Sequence, residues 1–186
     1  TLKPDDLKHA ALIDAVSRAV GARDAIEYWK SAPYALNFMK EYELRRKLEK
    51  LPSKDKAPVV AALDQHAGQL LTRNSFRDYE TVEAANPRLR ALFEDTLEQE
   101  LWRVLWLPPS LPSWQPAGPF AGIDKATKSL VFSAWNVVPD AIAALCSYEA
   151  ERRMLGALDR AELTHDTLYD RIKPLLRFAK DAEGHR

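Results

Sequence analysis

The residues of this sequence that could coordinate zinc or act as nucleophiles are 4 histidines, 1 cysteine and scattered serines. No histidine belongs to an HxxxH or HExxH motif, which would place two ring nitrogens on one helical face. Ser147, His165 and Asp166 are the residue types of a hydrolase triad, but no glycine-flanked turn presents the serine. Cys146 follows Leu145 on an apolar helical face, where an unreactive thiol is the usual outcome. We therefore predict neither a metal site nor a catalytic residue.

Two Lys-Ser pairs, at residues 30–31 and 128–129, have the residue types that end a phosphate-binding loop. Such a loop also needs preceding glycines, whose backbone amides surround the phosphates, and acidic residues that hold magnesium. The chain has only 6 glycines, and they are scattered. We therefore expect no cofactor in this chain, neither ATP nor magnesium.

Glu149 and Glu151 are carboxylates that could transfer protons. Arg152 and Arg153 follow Glu149 within one helical turn, a spacing that favours ion pairs along a helix surface. We interpret residues 148–153 as the solvated end of a helix rather than as an acid–base site.

Positive charge is concentrated between residues 45 and 56, where six basic side chains outnumber two acidic ones, 6 − 2 = +4. We call these six the basic patch: Arg45, Arg46, Lys47, Lys50, Lys54 and Lys56. One interpretation is weak contact with DNA, because each phosphate that a cation neutralises adds salt-dependent affinity. The other interpretation is a solvated helix end and loop.

Four tryptophans bracket a proline-rich stretch: Trp102, Trp106, Trp114 and Trp135. Tryptophans packed on prolines would fix an irregular segment against a helical core. A groove for a nucleic-acid base or for a partner peptide is the alternative.

The elements that must position these residues are mainly helical. Apolar residues at helical spacing predict a bundle of about five helices in residues 1–106. The first covers residues 4–20, the second is short and contains Tyr28 and Trp29, and the third ends near Lys50. The fourth runs from Lys56 to Thr72, and the fifth runs from Pro87 to Leu105. The fourth helix would bury one stripe, made of Val60, Leu63, Ala67, Leu70 and Leu71. Asn86 before Pro87 is a strong start signal for the fifth helix.

The second part of the chain begins with five prolines between Leu107 and Pro119, which predict an extended connector over residues 107–127. Ser129–Ser133 then reads as a short buried strand, followed by a helix from Val138 to about Leu155. Because one strand cannot form a sheet by itself, its partners would lie outside this chain or in the connector; extended packing on helices is the alternative. A last element, 168–180, contains Pro174 and is expected to kink. The predicted units are a helical domain at 1–106, the connector, and a strand-helix unit at 128–186.

Composition limits the classes of protein that remain. The 186 residues carry 27 basic and 27 acidic side chains, which excludes a strongly basic nucleic-acid-binding domain and an acidic tail protein. No apolar run of about 18 residues and no signal sequence is visible, so we expect no membrane partner. The single cysteine fits a reducing compartment, and we expect a cytoplasmic protein. The start at Thr1 rather than at Met favours a segment of a longer polypeptide or a processed chain.

The run Lys128-Ser-Leu-Val-Phe-Ser-Ala-Trp135, with the helix Val138–Arg153 after it, resembles the opening of the second RecA-like lobe of Swi/Snf-type helicases of superfamily two. The resemblance places Phe132, Ser133 and Trp135 at positions of the fourth motif, which in that family supports the lobe and its nucleic-acid contact. Residues 27–39 and 106–112 are similar to large bacterial helicase-related proteins, and their helices would lie between the motor lobes.

These observations lead to a first hypothesis, a non-catalytic helical segment of a bacterial ATP-dependent helicase or translocase. The resemblance implies that its partners are the remaining lobes of the parent protein, and that ATP and magnesium belong to that parent alone. An independent helical adaptor, binding another protein through the aromatic, proline-rich connector, is the alternative. A small enzyme with an unrecognised site is a third.

Overall fold

The computed structural model describes residues 1–23, 25–40, 42–105, 117–123 and 128–157. These residues form eight α-helices and no strand, so the mainly α fold class is confirmed. The helices are α1 (Pro4–Ala19), α2 (Ala25–Ser31), α3 (Ala35–Phe38), α4 (Glu43–Glu49), α5 (Ala57–Gln65), α6 (Arg73–Arg77), α7 (Pro87–Asp95) and α8 (Val137–Ala157). Most of the connector, with Trp106 and Trp114, and the predicted element at 168–180 lie outside the described residues.

α1 packs along one side of the larger of two apolar cores, which we call the main core. Its buried residues are Leu12, Ile13, Val16, Tyr28, Ala32, Ala35, Met39, Leu44, Ala62, Val137, Val138 and Ala141. Pro4 occupies its first turn, where a missing backbone N–H loses no helical hydrogen bond. Leu12, Ile13 and Val16 recur at helical spacing and are buried against α2 and α5. The same core includes Val137, at the start of α8.

The third predicted helix is in fact two shorter helices, α3 and α4. Met39 adopts an extended conformation between them, with φ −72° and ψ 110°. Met39 and Leu44 are both buried in the main core. Residues five apart on one straight helix would point about 140° away from each other. The break lets both side chains reach the same core.

The fourth predicted helix was too long, and its predicted buried stripe is only partly confirmed: Leu63, Leu70 and Leu71 pack against the cores, whereas Val60 and Ala67 are exposed. α5 ends at Gln65, and Val60 is 50% exposed, whereas Val59 and Ala62 are buried. Beyond α5 the Asn37 side chain donates to the carbonyl of Leu71 at 2.8 Å and accepts from its backbone N–H at 3.2 Å. These bonds satisfy the backbone of Leu71 outside any helix, so the helical periodicity does not continue.

α7 begins as predicted. The Asn86 side-chain oxygen accepts hydrogen bonds from the backbone N–H groups of Arg88 at 2.9 Å and Leu89 at 3.3 Å. The helix ends at Asp95 rather than near Leu105, because the backbone N–H groups of Thr96 and Glu98 both turn back onto Phe93. A 3-10 turn at Leu101–Val104 follows.

The second core lies between α7 and α8. Its buried side chains are Val82, Leu89, Phe93, Leu97, Leu145 and Tyr148. α8 was predicted within two residues at each end, and it contributes to both cores.

The predicted buried strand at Ser129–Ser133 is wrong, because these residues form no strand and are exposed.

Replacing Asn86 by Ala removes the acceptor for two orphan N–H groups at the start of α7. We expect Asn86→Ala to lower the free energy of unfolding by about 1 kcal/mol. Urea denaturation followed by circular dichroism measures this loss. Asn86→Asp keeps an acceptor and is the control, so equal losses in both variants would contradict the capping role.

Candidate functional site

Three aromatic rings, which we call the aromatic anchor, hold the chain where it enters α8. Trp135 stacks on Tyr42 with ring centroids 6.0 Å apart and an interplanar angle of 24°. Tyr28 meets both rings edge-on, at 5.7 Å from Tyr42 and 6.1 Å from Trp135. The Tyr42 hydroxyl oxygen also accepts a hydrogen bond from the backbone N–H of Val137 at 3.2 Å. The first residue of α8 is thereby tied to Tyr42, which immediately precedes α4.

Residues 128–133, which we call the Leu130 segment, leave this anchor toward solvent. Leu130 is 78% exposed, Val131 44% and Phe132 87%. No backbone hydrogen bond joins these residues to another described residue. In a strand, successive side chains alternate between the two faces. Pairing of this segment as a strand would therefore place apolar groups on both faces.

The three residues of the fourth-motif resemblance therefore have different environments. Trp135 is half-buried and packs inward, whereas Phe132 projects into solvent. The Ser133 hydroxyl oxygen accepts from the backbone N–H of Trp135 at 3.0 Å and caps the turn between them. The structure brings Ser133 and Trp135 together and leaves Phe132 apart from them.

The basic patch divides into two groups. Arg45 pairs with Glu49 at 2.7 Å, and Lys47 pairs with Glu43 at 2.7 Å while donating to the carbonyl of Gly21 at 2.6 Å. The other four cations are exposed, and none forms an ion pair with a described carboxylate: Arg46, Lys50, Lys54 and Lys56.

Glu149 is buried rather than solvated, so the interpretation of residues 148–153 as an exposed helix end was wrong. Glu149 is 3% exposed, accepts hydrogen bonds from Arg152 at 2.7 and 2.8 Å, and accepts one from Arg153 at 2.9 Å. Burial alone would raise the pKa of Glu149, but these hydrogen bonds outweigh it and lower the pKa. Arg153 also pairs with Glu98 and donates to the carbonyl of Leu97. The cluster joins α8 to the turn after α7.

A second buried ion pair, which no sequence pattern indicates, joins α1 to α7. Both Asp6 oxygens accept from Arg90 at 2.7 Å. Arg90 also donates to the carbonyls of Thr1 and Ala84. Its hydrogen bonds lower the pKa of Asp6. Asp6 suits a helix N-terminus by sequence alone, and only the fold brings Arg90 to it.

His9 and Cys146 have side chains of types that often act in catalysis. His9 is buried and Cys146 is half-buried. The His9 ring meets Tyr34 edge-on at 4.9 Å, and burial lowers the pKa of His9. Burial raises the pKa of the Cys146 thiol, which disfavours the reactive thiolate. Ser147 lies on α8, while its hypothetical triad partners His165 and Asp166 lie outside the described residues. No three potential metal ligands come together in the part of the chain that the structure describes.

Comparison with protein-family models, with curated proteins and with solved structures finds no match to this chain. No helix within the described ranges has both the length and the apolar character needed to cross a membrane.

The buried imidazole of His9 makes folding stability depend on pH. The folded state has the lower pKa, so below the ordinary value of 6.5 the unfolded chain binds more protons. This contribution to stability is present above pH 6.5 and is lost as the pH falls below it. We expect urea denaturation to show lower stability at pH 5.5 than at pH 7.5, and His9→Gln to reduce that difference. An undiminished difference in His9→Gln would contradict this assignment.

The aromatic anchor should contribute to stability, whereas the side chains of the Leu130 segment should not. We expect Trp135→Ala to lower the free energy of unfolding by about 2–3 kcal/mol, less than the value for a fully buried tryptophan. Phe132→Ala is the matched control, and its effect should stay within about 0.5 kcal/mol because the ring is exposed. Equal losses in thermal denaturation of the two variants would contradict the division between anchor and segment.

Proposed function

We propose that this chain is a non-catalytic helical segment of an ATP-dependent DNA helicase or translocase of the Swi/Snf type. In this proposal its helices support the motor lobes, and the Leu130 segment begins the second lobe. ATP and magnesium bind to other parts of the parent protein, and no residue of this chain takes part in hydrolysis. The basic patch supplies a weak contact to DNA.

The exposure of the Leu130 segment is the observation that carries the proposal. Burying a leucine or phenylalanine side chain stabilises a protein by about 1.5–3 kcal/mol relative to exposure. Covering Leu130 and Phe132 would therefore contribute about 3–6 kcal/mol. Strands with apolar groups on both sides are typical of parallel sheets whose two faces are covered by helices. A motor lobe of that architecture would cover this segment.

The aromatic anchor supports the same proposal. It fixes the chain at Trp135 and Val137, so the Leu130 segment has a defined point of departure from the helical domain. A segment held at one end loses less conformational entropy when it joins a sheet than a free peptide would. The fourth-motif resemblance lies in the same residues, Phe132, Ser133 and Trp135.

The proposal is tested with the complete polypeptide that the surrounding gene encodes. We expect the flanking sequences to contain the phosphate-binding loop, the acidic box and the arginine motif of helicases. The complete polypeptide should hydrolyse ATP, and the 186-residue chain alone should not. In the complete polypeptide, Leu130→Gln with Phe132→Gln should lower the ATPase rate at least tenfold, because the second lobe would lose a core strand.

The control for this pair is Leu7→Gln with Val60→Gln, which also removes two exposed apolar side chains. We expect the control to keep the ATPase rate, and both pairs to leave the melting temperature of the 186-residue chain unchanged. Flanking sequences without helicase motifs would refute the proposal. ATP hydrolysis by the 186-residue chain, abolished by a point substitution within it, would also refute it.

A further inference from the structure

The four unpaired cations of the basic patch follow one another around a single corner of the fold. Arg46 lies in the last turn of α4, and Lys50 follows the end of that helix. Lys54 lies in a 3-10 turn at Ser53–Asp55, and Lys56 immediately precedes α5. Residues 52–58 are all exposed, so nothing described covers this corner.

The charge of this corner is not neutralised by the fold. Between Lys50 and Lys56 the only acidic side chain is Asp55. With Arg46 included, the uncompensated charge is 4 − 1 = +3. Arg45 and Lys47 do not add to it, because Glu49 and Glu43 pair with them.

We propose that Arg46, Lys50, Lys54 and Lys56 bind the phosphodiester backbone of a nucleic-acid duplex without reading its base sequence. This inference rests on the proposed function and assigns the nucleic-acid contact to four of the six basic residues. Positive charge without a carboxylate partner complements phosphates spaced along a duplex. Arg45 and Lys47 are instead paired with Glu49 and Glu43 along α4.

The other residues of the corner indicate which nucleic-acid groups are contacted. Residues 45–56 contain no aromatic side chain on which an unpaired base could stack, and no Asn or Gln that could read an adenine edge. Contacts confined to phosphates fix position and carry no sequence information directly. An anionic membrane fits less well, because membrane-binding surfaces also expose large apolar groups. Leu48 and Leu51, the leucines of this stretch, are both half-buried.

Fluorescence anisotropy of a labelled 20-base-pair DNA duplex tests the inference with the 186-residue chain. We expect measurable binding at 20 mM KCl that falls steeply toward 200 mM. The logarithm of the binding constant should fall with the logarithm of salt concentration with a slope of about −2 to −4, since each phosphate contact contributes about −0.9. Two duplexes of unrelated sequence should bind within twofold of each other.

Charge reversal at Lys50, Lys54 and Lys56 to Glu should weaken binding at 20 mM KCl at least tenfold. The matched control reverses the same number of exposed cations elsewhere, in Lys3→Glu, Arg73→Glu and Arg88→Glu. Because both variants change the net charge equally, only a specific contact separates them. Circular dichroism of each variant checks that the helices remain folded.

Three results would overturn the inference. They are no binding at 20 mM KCl, equal weakening in the two reversal variants, and binding to vesicles of anionic phospholipid in preference to the duplex. A tenfold preference for one duplex sequence would overturn the claim that bases are not read. Absence of binding would remove the DNA contact from the proposed function, but the motor-segment proposal is tested separately, through ATPase activity and the Leu130 segment.

Discussion

The packing of α8 against two separate cores is the constraint on which the rest of the structure depends. Val137, Val138 and Ala141 belong to the main core, and Leu145 and Tyr148 belong to the second core. One helix therefore aligns α1 and α2 with α7. The chain that enters α8 is fixed as well, since Trp135 packs between helices of the main core. The Leu130 segment precedes this fixed point, and its apolar side chains are exposed.

Two buried ion-pair clusters fix how the helices are positioned relative to one another. Asp6 with Arg90 joins α1 to α7. Arg153, which pairs with Glu149 within α8, also pairs with Glu98 and donates to the carbonyl of Leu97, and so joins α8 to the turn after α7. Apolar packing is not directional, whereas each of these carboxylates accepts hydrogen bonds in a fixed geometry. Removing one member of a buried pair leaves an uncompensated charge and typically costs about 3–5 kcal/mol. The helices are therefore held in register by polar contacts around apolar cores.

The sequence predicts the helices better than it predicts their ends or their partners. Helical spacing in α1 and α8, and the capping signal of Asn86, are local properties, and the structure confirms them. The break between α3 and α4 depends on Met39 and Leu44 reaching one core, which no local pattern encodes. The Asp6–Arg90 pair spans 84 residues and exists only in the folded chain. The strand at Ser129–Ser133 was predicted from apolar composition, but a strand also needs a neighbour. In the basic patch, the i,i+4 spacing of Arg45 with Glu49 and of Glu43 with Lys47 is a local signal for these pairs, whereas the contact of Lys47 with the carbonyl of Gly21 exists only in the folded chain.

The central proposal is that the Leu130 segment, which forms no strand in this chain, becomes a strand when the rest of a motor lobe pairs with it. Hydrogen–deuterium exchange of the backbone amides of residues 129–133 tests it most directly, with the 186-residue chain and the complete polypeptide compared under the same conditions. The account predicts exchange near the unprotected rate in the 186-residue chain, and protection comparable to that of core helix amides in the complete polypeptide. Fast exchange of these amides in both proteins would contradict it.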